Sequence, residues 1–354
     1  MIDIFPILDA ALEQRAADLH LSVGRPPVFR VGSTLRECGN IALTREDVDH
    51  MAGQIMPERN RDELEKVGTT DFGYAHGDKC RFRVSVLTQK GSRGIVMRLI
   101  PSTLLSFEQI GLPDSVHGLL KLHRGLILVT GPTGSGKTTT LATMIDWINH
   151  QRDVHIITIE DPIEFYHSYK KAQVTQREVG TDVPSFAEAM RRALRQDPDV
   201  ILLGEMRDLE TTSAAITAAE TGHLVFGTLH TTGSARTVDR IIDQYPTSQQ
   251  EQIRAQLSVA LVGVISQILV PAADGRGRVA AFEVMLMNPA IENHIRKCET
   301  FKIPSVLQTS RRQGMVTLDD SLLELYRSGR IGKDVALEHS FDRKALELRI
   351  SGGA

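Results

Sequence analysis

The sequence contains few cysteines, and the three that it has, Cys38, Cys80 and Cys298, lie far apart along the chain. Disulfide-stabilised domains need an even set of cysteines, and structural zinc sites need clustered ligands. The spacing therefore excludes both a disulfide framework and a four-ligand zinc site. This cysteine usage is typical of a protein from a reducing cytoplasm.

Long apolar segments are also missing. The longest nearly apolar run, Leu261–Val270, is interrupted by Gly263, Ser266 and Gln267, whereas a bilayer-spanning helix needs about 20 apolar residues. The N-terminal stretch MIDIFPILDAALEQRAADLHL has no basic start, no apolar centre and no small-residue cleavage site, so it predicts no signal peptide. We expect a cytoplasmic protein whose contact with a membrane comes only through partners.

An excess of positive charge is absent as well. The net charge is -3 and the pI is near 6.5, which gives no overall field to hold a polyanion, so no nucleic-acid partner is expected. What is present is an ordinary globular composition, with 41% hydrophobic and 24% charged residues. At about 150 residues per domain, a chain of 354 residues predicts two domains and a soluble enzyme or motor.

Residues 1–100 have the pattern of a small α+β domain. Short strands are predicted at LHLSVG and VFRVG, and Thr44 is placed to cap a helix. In the segment CRFRVSVL, apolar residues alternate with Arg81 and Arg83, so a strand there buries one face and presents both arginines on the other. The stretch 101–115 lacks periodicity and is predicted to be a linker.

Residues 116–287 alternate between buried strands and helices. Continuous apolar runs predict strands at Gly125–Thr130, Val154–Ile159, Val200–Leu203 and Leu224–Leu229. Helical spacing separates these runs, which predicts parallel pairing with crossover helices in an α/β sheet. From 288 to 354 the pattern is mostly helical.

The strongest motif is GPTGSGKT, which follows the first of these strands and precedes an amphipathic helix. In this context the motif predicts a phosphate-binding loop, because glycines let backbone N–H groups turn toward phosphate oxygens. Lys137 is suited to the β and γ phosphates, and the Thr138 hydroxyl is suited to Mg²⁺. The predicted nucleotide-binding residues of the loop are Gly131, Pro132, Thr133, Gly134, Ser135, Gly136, Lys137, Thr138 and Thr139.

Acidic side chains follow the next two strands, at the sheet edge where ligands bind in parallel sheets. Those candidates are Glu160, Asp161, Glu164, Glu205 and Asp208. Acids at this edge can hold a metal through water or orient an attacking water. For each single acid, a solvated loop carboxylate or a helix cap remains an equal alternative.

Two histidines flank the strand in TGHLVFGTLHTT. His223 precedes the strand and is interpreted as a structural residue, whereas His230 follows it on the side where the phosphates are expected. The ring of His230 is therefore a candidate hydrogen-bond donor to a γ-phosphate.

The motifs GPTGSGKT, ITIEDPIEF, GEMRD and TGHLVFGTLHTT, in this order and spacing, resemble those of the bacterial type II/IV secretion ATPase superfamily. TQREVG at Thr175–Gly180 and LRQDPDV at Leu194–Val200 resemble its pilus retraction branch. Residues Ala290–Lys297 keep the apolar frame of that branch's AIRNLIRE signature, with the charges at its ends reversed. The resemblance covers nearly the whole chain, and it implies a PAS-like domain, a RecA-like P-loop ATPase core and a helical C-terminal region.

By this resemblance the chain is expected to be a hexameric, Mg²⁺-dependent ATP hydrolase that retracts a type IV pilus and drives twitching motility. The resemblance implies that Glu164 activates water, that Glu205 is the Walker B acid and that His230 senses the γ-phosphate. It implies Thr138 and Glu205 as metal ligands, the latter through water, because Gly204 replaces the aspartate of many P-loop enzymes. The arginines implied to approach the nucleotide are Arg81, Arg83, Arg276 and Arg278.

The implied partners are five further copies of the chain, the inner-membrane platform protein of the pilus machine and, as a further candidate, a paralogous retraction ATPase. The implied location is the cytoplasmic face of the inner membrane at the pilus base. Two alternatives stay open, namely an accessory ATPase that assists a partner motor and a RecA-like nucleic-acid translocase. The lack of paired CxxC zinc ligands argues against the extension motor.

Overall fold

The computed structural model describes most of the chain. The described residues are 1–32, 34–77, 79–100 and 104–352. Residues 101–103 of the predicted linker and residues 353–354 of the predicted tail lie outside them. Within the described residues, every helix is too short or too polar to cross a bilayer.

Contacts between residues divide the chain into two units. The first unit contains Met1–Thr103 and Pro162–Tyr166, and the second contains Leu104–Asp161 and His167–Ala354. The segment Pro162–Tyr166 is remote in sequence from the rest of the first unit. It carries Glu164, so this predicted catalytic acid is grouped with the N-terminal strands and helices.

The described elements of the first unit are α1 (Phe5–Glu13), β1 (Asp18–Ser22), β2 (Val28–Val31), β3 (Thr34–Glu37), α2 (Arg45–Ile55), α3 (Glu58–Val67), β4 (Thr69–His76), β5 (Cys80–Gln89) and β6 (Ser92–Ile100). The strands form an antiparallel sheet with the order β3-β2-β1-β6-β5-β4. Helix α2 begins with a reciprocal cap, in which the Thr44 side chain accepts from the N–H of Asp47 and the Asp47 carboxylate accepts from the N–H of Thr44.

Strand β5 presents two arginines on one face, as its alternating pattern predicts. Phe82 and Val84 on the other face are buried in the core of the unit. A tight turn at Lys90 and Gly91, both with positive φ, joins β5 to β6. The strand therefore fixes the direction of Arg81 and Arg83 through its own pleat.

The strands and helices of the second unit, up to its last strand, are α4 (Phe107–Ile110), α5 (Val116–Leu120), β7 (Gly125–Thr130), α6 (Lys137–Gln151), β8 (His155–Glu160), β9 (Gln173–Glu178), α7 (Phe186–Ala193), β10 (Val200–Leu203), α8 (Leu209–Glu220), β11 (Leu224–Leu229), α9 (Ser234–Ile242), α10 (Thr247–Ala260), β12 (Leu261–Pro271) and β13 (Arg278–Leu286). The seven strands form one sheet with the order β13-β12-β7-β11-β10-β8-β9.

The C-terminal region is helical, as the sequence pattern predicts. Its elements are α11 (Pro289–Arg296), a 3₁₀ turn (Thr300–Lys302), α12 (Ile303–Thr309), a second 3₁₀ turn (Arg311–Gln313), α13 (Leu318–Arg327), α14 (Lys333–Glu338) and α15 (Arg343–Ile350).

Parallel pairing of β7, β8, β10 and β11 brings their carboxyl ends to one edge of the sheet. The residues that follow β7, β10 and β11 are the phosphate loop, Glu205 and His230. The predicted α/β class is confirmed. The sheet also contains two strands that follow Leu224–Leu229 in the chain and that the sequence patterns did not predict, since β12 pairs in parallel with β7 and β13 pairs with β12.

Candidate functional site

The phosphate loop lies between β7, which is buried along its whole length, and α6. Gly131, Gly134 and Gly136 have φ values of 145°, 77° and 89°. A Cβ on Gly131 would lie 2.1 Å from the backbone oxygen of Gln267. The loop thus requires glycine at this position for space as well as for backbone conformation.

Lys137 is half-buried at the start of α6. Its Nζ donates to the carbonyl oxygens of Gly131 at 2.9 Å and of Pro132 at 3.2 Å. Burial lowers the pKa of Lys137 below its ordinary value, although the nearby carboxylate of Glu205 acts in the opposite direction. The ammonium group is poorly hydrated and held at the loop, which suits it to bind an anion there.

Glu205 and His230 form a hydrogen-bonded pair at the carboxyl edge of the sheet. His230 Nε2 lies 2.9 Å from Glu205 Oε1, and His230 Nδ1 lies 3.4 Å from the Thr133 hydroxyl of the phosphate loop. Since His230 follows β11 and Glu205 follows β10, one imidazole ring connects the ends of two strands with the loop after β7. The structure therefore brings together three predicted site residues from three separate motifs.

The charge of Glu205 is stabilised by its neighbours. Burial alone would raise the pKa of Glu205, but the hydrogen bond and charge of Arg207 and the interaction with His230 outweigh it, so the pKa is lowered. Arg207 Nη2 lies 2.7 Å from Glu205 Oε2. Glu205 is therefore ionised at neutral pH and can polarise a water or a hydrated metal ion.

The predicted metal ligands are Thr138, the second residue of α6, and Glu205. Mg²⁺ prefers oxygen ligands and keeps several waters when it binds beside phosphates. A threonine hydroxyl and a carboxylate are the donor types that such an ion accepts. Among the described residues no cluster of three or more His, Cys, Asp or Glu side chains could hold a metal alone, so phosphate oxygens and water would complete the ligand set.

Gly204 is closely packed against β8 at the end of β10. Its N–H donates to the Ile159 oxygen at 2.8 Å, and its carbonyl oxygen accepts from the Thr228 hydroxyl. A Cβ at this position would lie 3.2 Å from the Ile159 oxygen and 3.3 Å from Glu160 Cα. The close approach of β8 to the end of β10 leaves little space for a side chain at Gly204.

Glu164 lies in the first unit together with the two predicted arginines of β5. Arg83 Nη1 is 3.9 Å from Glu164 Oε1, and the guanidinium of Arg81 lies 4.0 Å from the centre of the Tyr166 ring. Arg81 and Arg83 are two residues apart on β5, and their contacts Tyr166 and Glu164 are likewise two residues apart in sequence. Sequence reasoning did not identify Tyr166, although its spacing from Glu164 repeats that of the two arginines.

The two predicted arginines of the hairpin between β12 and β13, Arg276 and Arg278, differ in their position relative to the phosphate loop. Arg278 begins β13, and its Nη1 lies 3.4 Å from the Gly134 oxygen of the phosphate loop. Arg276 lies in the turn, where its backbone N–H donates to the Asp274 carboxylate at 2.8 Å, and its side chain is exposed. Arg278 is therefore beside the loop, whereas Arg276 is held in the turn.

Two of the other sequence candidates have structural partners. Asp208 caps α8 and accepts from the N–H and the hydroxyl of Thr211. His223 Nδ1 lies 3.0 Å from the Ala218 oxygen. These contacts agree with a helix cap for Asp208 and with the structural interpretation of His223.

Sequence reasoning missed Gln267 as a site residue. Its side chain is buried in β12, and Nε2 donates to the Ser135 oxygen of the phosphate loop at 2.6 Å. A signal was present, because Ser266 and Gln267 are polar residues within an apolar run. Ser266 Oγ likewise accepts from the N–H of Gly233 at 2.9 Å, at the start of α9.

A cavity of about 380 Å³ opens beside the start of α6. Its polar lining includes Gln109, Thr139, Gln267, Arg278 and Arg330, and Ile110 and Leu269 supply apolar surface. Ligand pockets of small molecules have volumes of about 300–1,000 Å³ and combine apolar walls with a few polar groups. The cavity has the size and lining to accept a nucleoside next to the phosphate loop.

A comparison with protein-family models matches residues 3–331 to the family described as type II/IV secretion system protein. The type IV pilus retraction ATPase PilT of Pseudomonas aeruginosa is 47% identical over 337 residues, which cover 95% of this chain and 98% of that protein. The type IV pilus ATPase PilU of the same organism is 37% identical over 348 residues, covering 98% and 91% of the two chains.

The fold is similar to that of solved structures as well. A crystal structure of the pilus retraction motor PilT with bound ADP matches with a TM-score of 0.91 and 47% identity, covering 98% of this chain and 99% of the other. The similarity confirms the expected fold class of a RecA-like ATPase.

Proposed function

This chain belongs to the type II/IV secretion system protein family, and we propose that it is the ATP-hydrolysing motor of type IV pilus retraction and thereby of twitching motility. The observation that carries the proposal is the connection, through His230, of the phosphate loop at Thr133 with the carboxylate of Glu205. A γ-phosphate beside this loop would compete for the same ring. The higher identity to the retraction ATPase than to PilU supports a motor over an accessory ATPase.

We assign ATP to the phosphate loop and to the cavity beside α6, with its phosphates at Lys137. Mg²⁺ is assigned to the Thr138 hydroxyl, to phosphate oxygens and to water held by Glu205. When bound, the ion neutralises phosphate charge during transfer to water. Glu164 is the proposed base for that water, and Arg81, Arg83 and Arg278 are proposed to approach the nucleotide, together with Arg276.

The proposed assembly is a hexamer at the cytoplasmic face of the inner membrane, bound to the platform protein of the pilus machine. We propose a PAS-like domain at 1–100, a linker at 101–115, the ATPase core at 116–287 and the helical region at 288–354 as its working parts. Light scattering tests the assembly, which should have six times the 39.1 kDa mass of one chain in ATP and Mg²⁺.

Phosphate release by the purified full-length protein tests the motor. We expect turnover that requires Mg²⁺, and we expect Lys137→Ala to abolish it, because the variant loses the charge that stabilises the phosphates. Glu164→Gln should keep nucleotide binding and lose at least about a hundredfold in turnover, since an amide cannot accept the proton of water. The exposed Lys121→Ala is the control and should retain wild-type turnover.

Wild-type turnover in Lys137→Ala would contradict the phosphate site. Stimulation of turnover by single-stranded DNA or RNA would favour the translocase instead. Restoration of pilus retraction in a deletion strain by this gene, and failure of the Lys137→Ala gene to restore it, would support the pilus assignment.

A further inference from the structure

The TQREVG motif forms the edge strand β9 and the residues after it, and the proposed function gives none of its side chains a role. Strand β9 pairs in parallel with β8, and Gln176 is the partner of Thr158 in this register. The two strands are joined by the chain that includes the segment with Glu164. The motif therefore lies beside the chain that leaves β8 and returns to β9.

A single side-chain amide joins the two ends of the loop formed by residues 161–166. Gln176 Oε1 accepts from the backbone N–H of His167 at 2.8 Å, and Gln176 Nε2 donates to Glu160 Oε1 at 3.3 Å. Glu160 is the last residue of β8, and His167 is the first residue after the loop. Gln176 thus closes the base of the loop from the neighbouring strand.

The chemistry of this position requires an amide. Glu160 Oε1 also accepts from the buried Thr158 hydroxyl at 2.6 Å, so its side chain is held as an acceptor. The partner at Gln176 must donate to Glu160 and accept from His167 with one planar group. Glutamine supplies both functions, whereas an ionised glutamate only accepts and leucine does neither.

The chain after the loop is also attached to α6, the helix that begins with Lys137. The side-chain amide of Asn149, a fully buried residue, donates to the Ser168 oxygen at 2.7 Å, and Lys170 Nζ lies 2.7 Å from Asp146 Oδ1. The chain on the C-terminal side of the loop is therefore fixed within the second unit. Because Gln176 holds both ends of the loop, movement of the loop is confined to residues 161–166.

We propose that Gln176 is a positioning residue for ATP hydrolysis, which sets the location of Glu164 by closing the base of the loop that carries it. The inference rests on the proposed function of Glu164 as the base for water. Misplacement of a reacting group by about 1 Å can cost about a hundredfold in rate, so a loosened base should affect turnover more than binding. Nucleotide affinity is assigned to the phosphate loop.

The test compares Gln176→Leu and the nearly isosteric Gln176→Glu with the control Gln173→Leu, which changes an exposed glutamine of the same strand. The readouts are kcat for ATP, affinity for a fluorescent ATP analogue with Mg²⁺, and the thermal unfolding midpoint. We expect both Gln176 variants to lose about tenfold or more in kcat, with affinity within about threefold of wild type. The control should match wild type in all three measurements.

A double-mutant cycle with Glu164→Gln separates positioning from general stability. If Gln176 acts through Glu164, Gln176→Leu should cause little further loss of the residual single-turnover rate in the Glu164→Gln background. An equal loss in both backgrounds, or wild-type kcat in both Gln176 variants, would overturn the inference and leave the motor assignment intact. Wild-type turnover in Glu164→Gln alone would overturn the role of Glu164 and this inference together.

Discussion

Single residues from remote parts of the chain determine the shape of the phosphate loop. Gln267 lies outside the GPTGSGKT motif in sequence, yet its side chain donates to the Ser135 oxygen and its backbone oxygen occupies the space that a Cβ on Gly131 would need. The glycine of the loop and the glutamine of β12 are therefore matched to each other.

 

Replacing Gln267 by leucine should weaken both the fold and nucleotide binding. Gln267→Leu removes a buried hydrogen bond and leaves the Ser135 oxygen without this donor, which costs about 1–3 kcal/mol of unfolding free energy. Denaturant unfolding and the affinity for a fluorescent ATP analogue measure the two effects. The exposed Gln249→Leu of α10 is the control. Unchanged affinity in a folded Gln267→Leu protein would show that the loop keeps its shape without this contact.

At the scale of elements, a helix cap can also hold a second segment of the chain. Helix α2 is an example, because the carboxylate of Asp47 accepts from the Thr44 hydroxyl at 2.6 Å, from the Thr44 N–H at 3.0 Å and from the Ile2 N–H at 2.8 Å. These hydrogen bonds lower the pKa of Asp47 from 3.8 to about 2. The cap thus connects the N-terminus of the chain with the start of α2.

The Asp47 cap predicts a specific pH dependence of stability. Because the folded pKa lies below the unfolded value of 3.8, the carboxylate stabilises the fold above about pH 4, and this contribution is lost as the pH falls toward 2. Asp47→Asn should therefore be less stable than wild type at pH 5–8, and the difference should shrink below pH 4. Denaturant midpoints measured across this range test the prediction. A difference that stays constant down to pH 2 would contradict it.

At the scale of the whole molecule, the segment Pro162–Tyr166 is grouped with the first unit although it is remote from it in sequence. It places the proposed base Glu164 with Arg83, and Tyr166 with Arg81, through the contacts at 3.9 Å and 4.0 Å. A change in these contacts would change both the charge near Glu164 and its freedom to move.

Removal of the Arg83 guanidinium should lower ATP turnover while the protein stays folded. Arg83→Ala loses the positive charge beside Glu164, and we expect kcat to fall by about tenfold or more, given that arginines in such sites contribute ~10³ to 10⁵ in rate. Arg36→Ala, an exposed arginine of β3, is the control and should keep wild-type kcat. Steady-state phosphate release and the unfolding midpoint are the measurements. Equal kcat in the two variants would indicate that Arg83 is only a solvated surface residue.

The sequence by itself determined the family, the α/β class and the phosphate loop, because these depend on contiguous patterns. A buried strand, a glycine-rich turn and a helix start are local features, and Lys137, Glu205 and His230 each follow a strand that the apolar runs predict. The paired arginines of β5 were found for the same reason, since alternation within one strand fixes their common face.

Only the tertiary structure decided which residues from distant segments meet. Gln267 reaches Ser135, Arg278 reaches Gly134 and Gln176 closes the loop before His167 through contacts that no local pattern encodes. The assignment of Glu164 to the first unit is of the same kind. Strand order and the packing of side chains between strands set these contacts, and both depend on the whole fold rather than on the residues near each position.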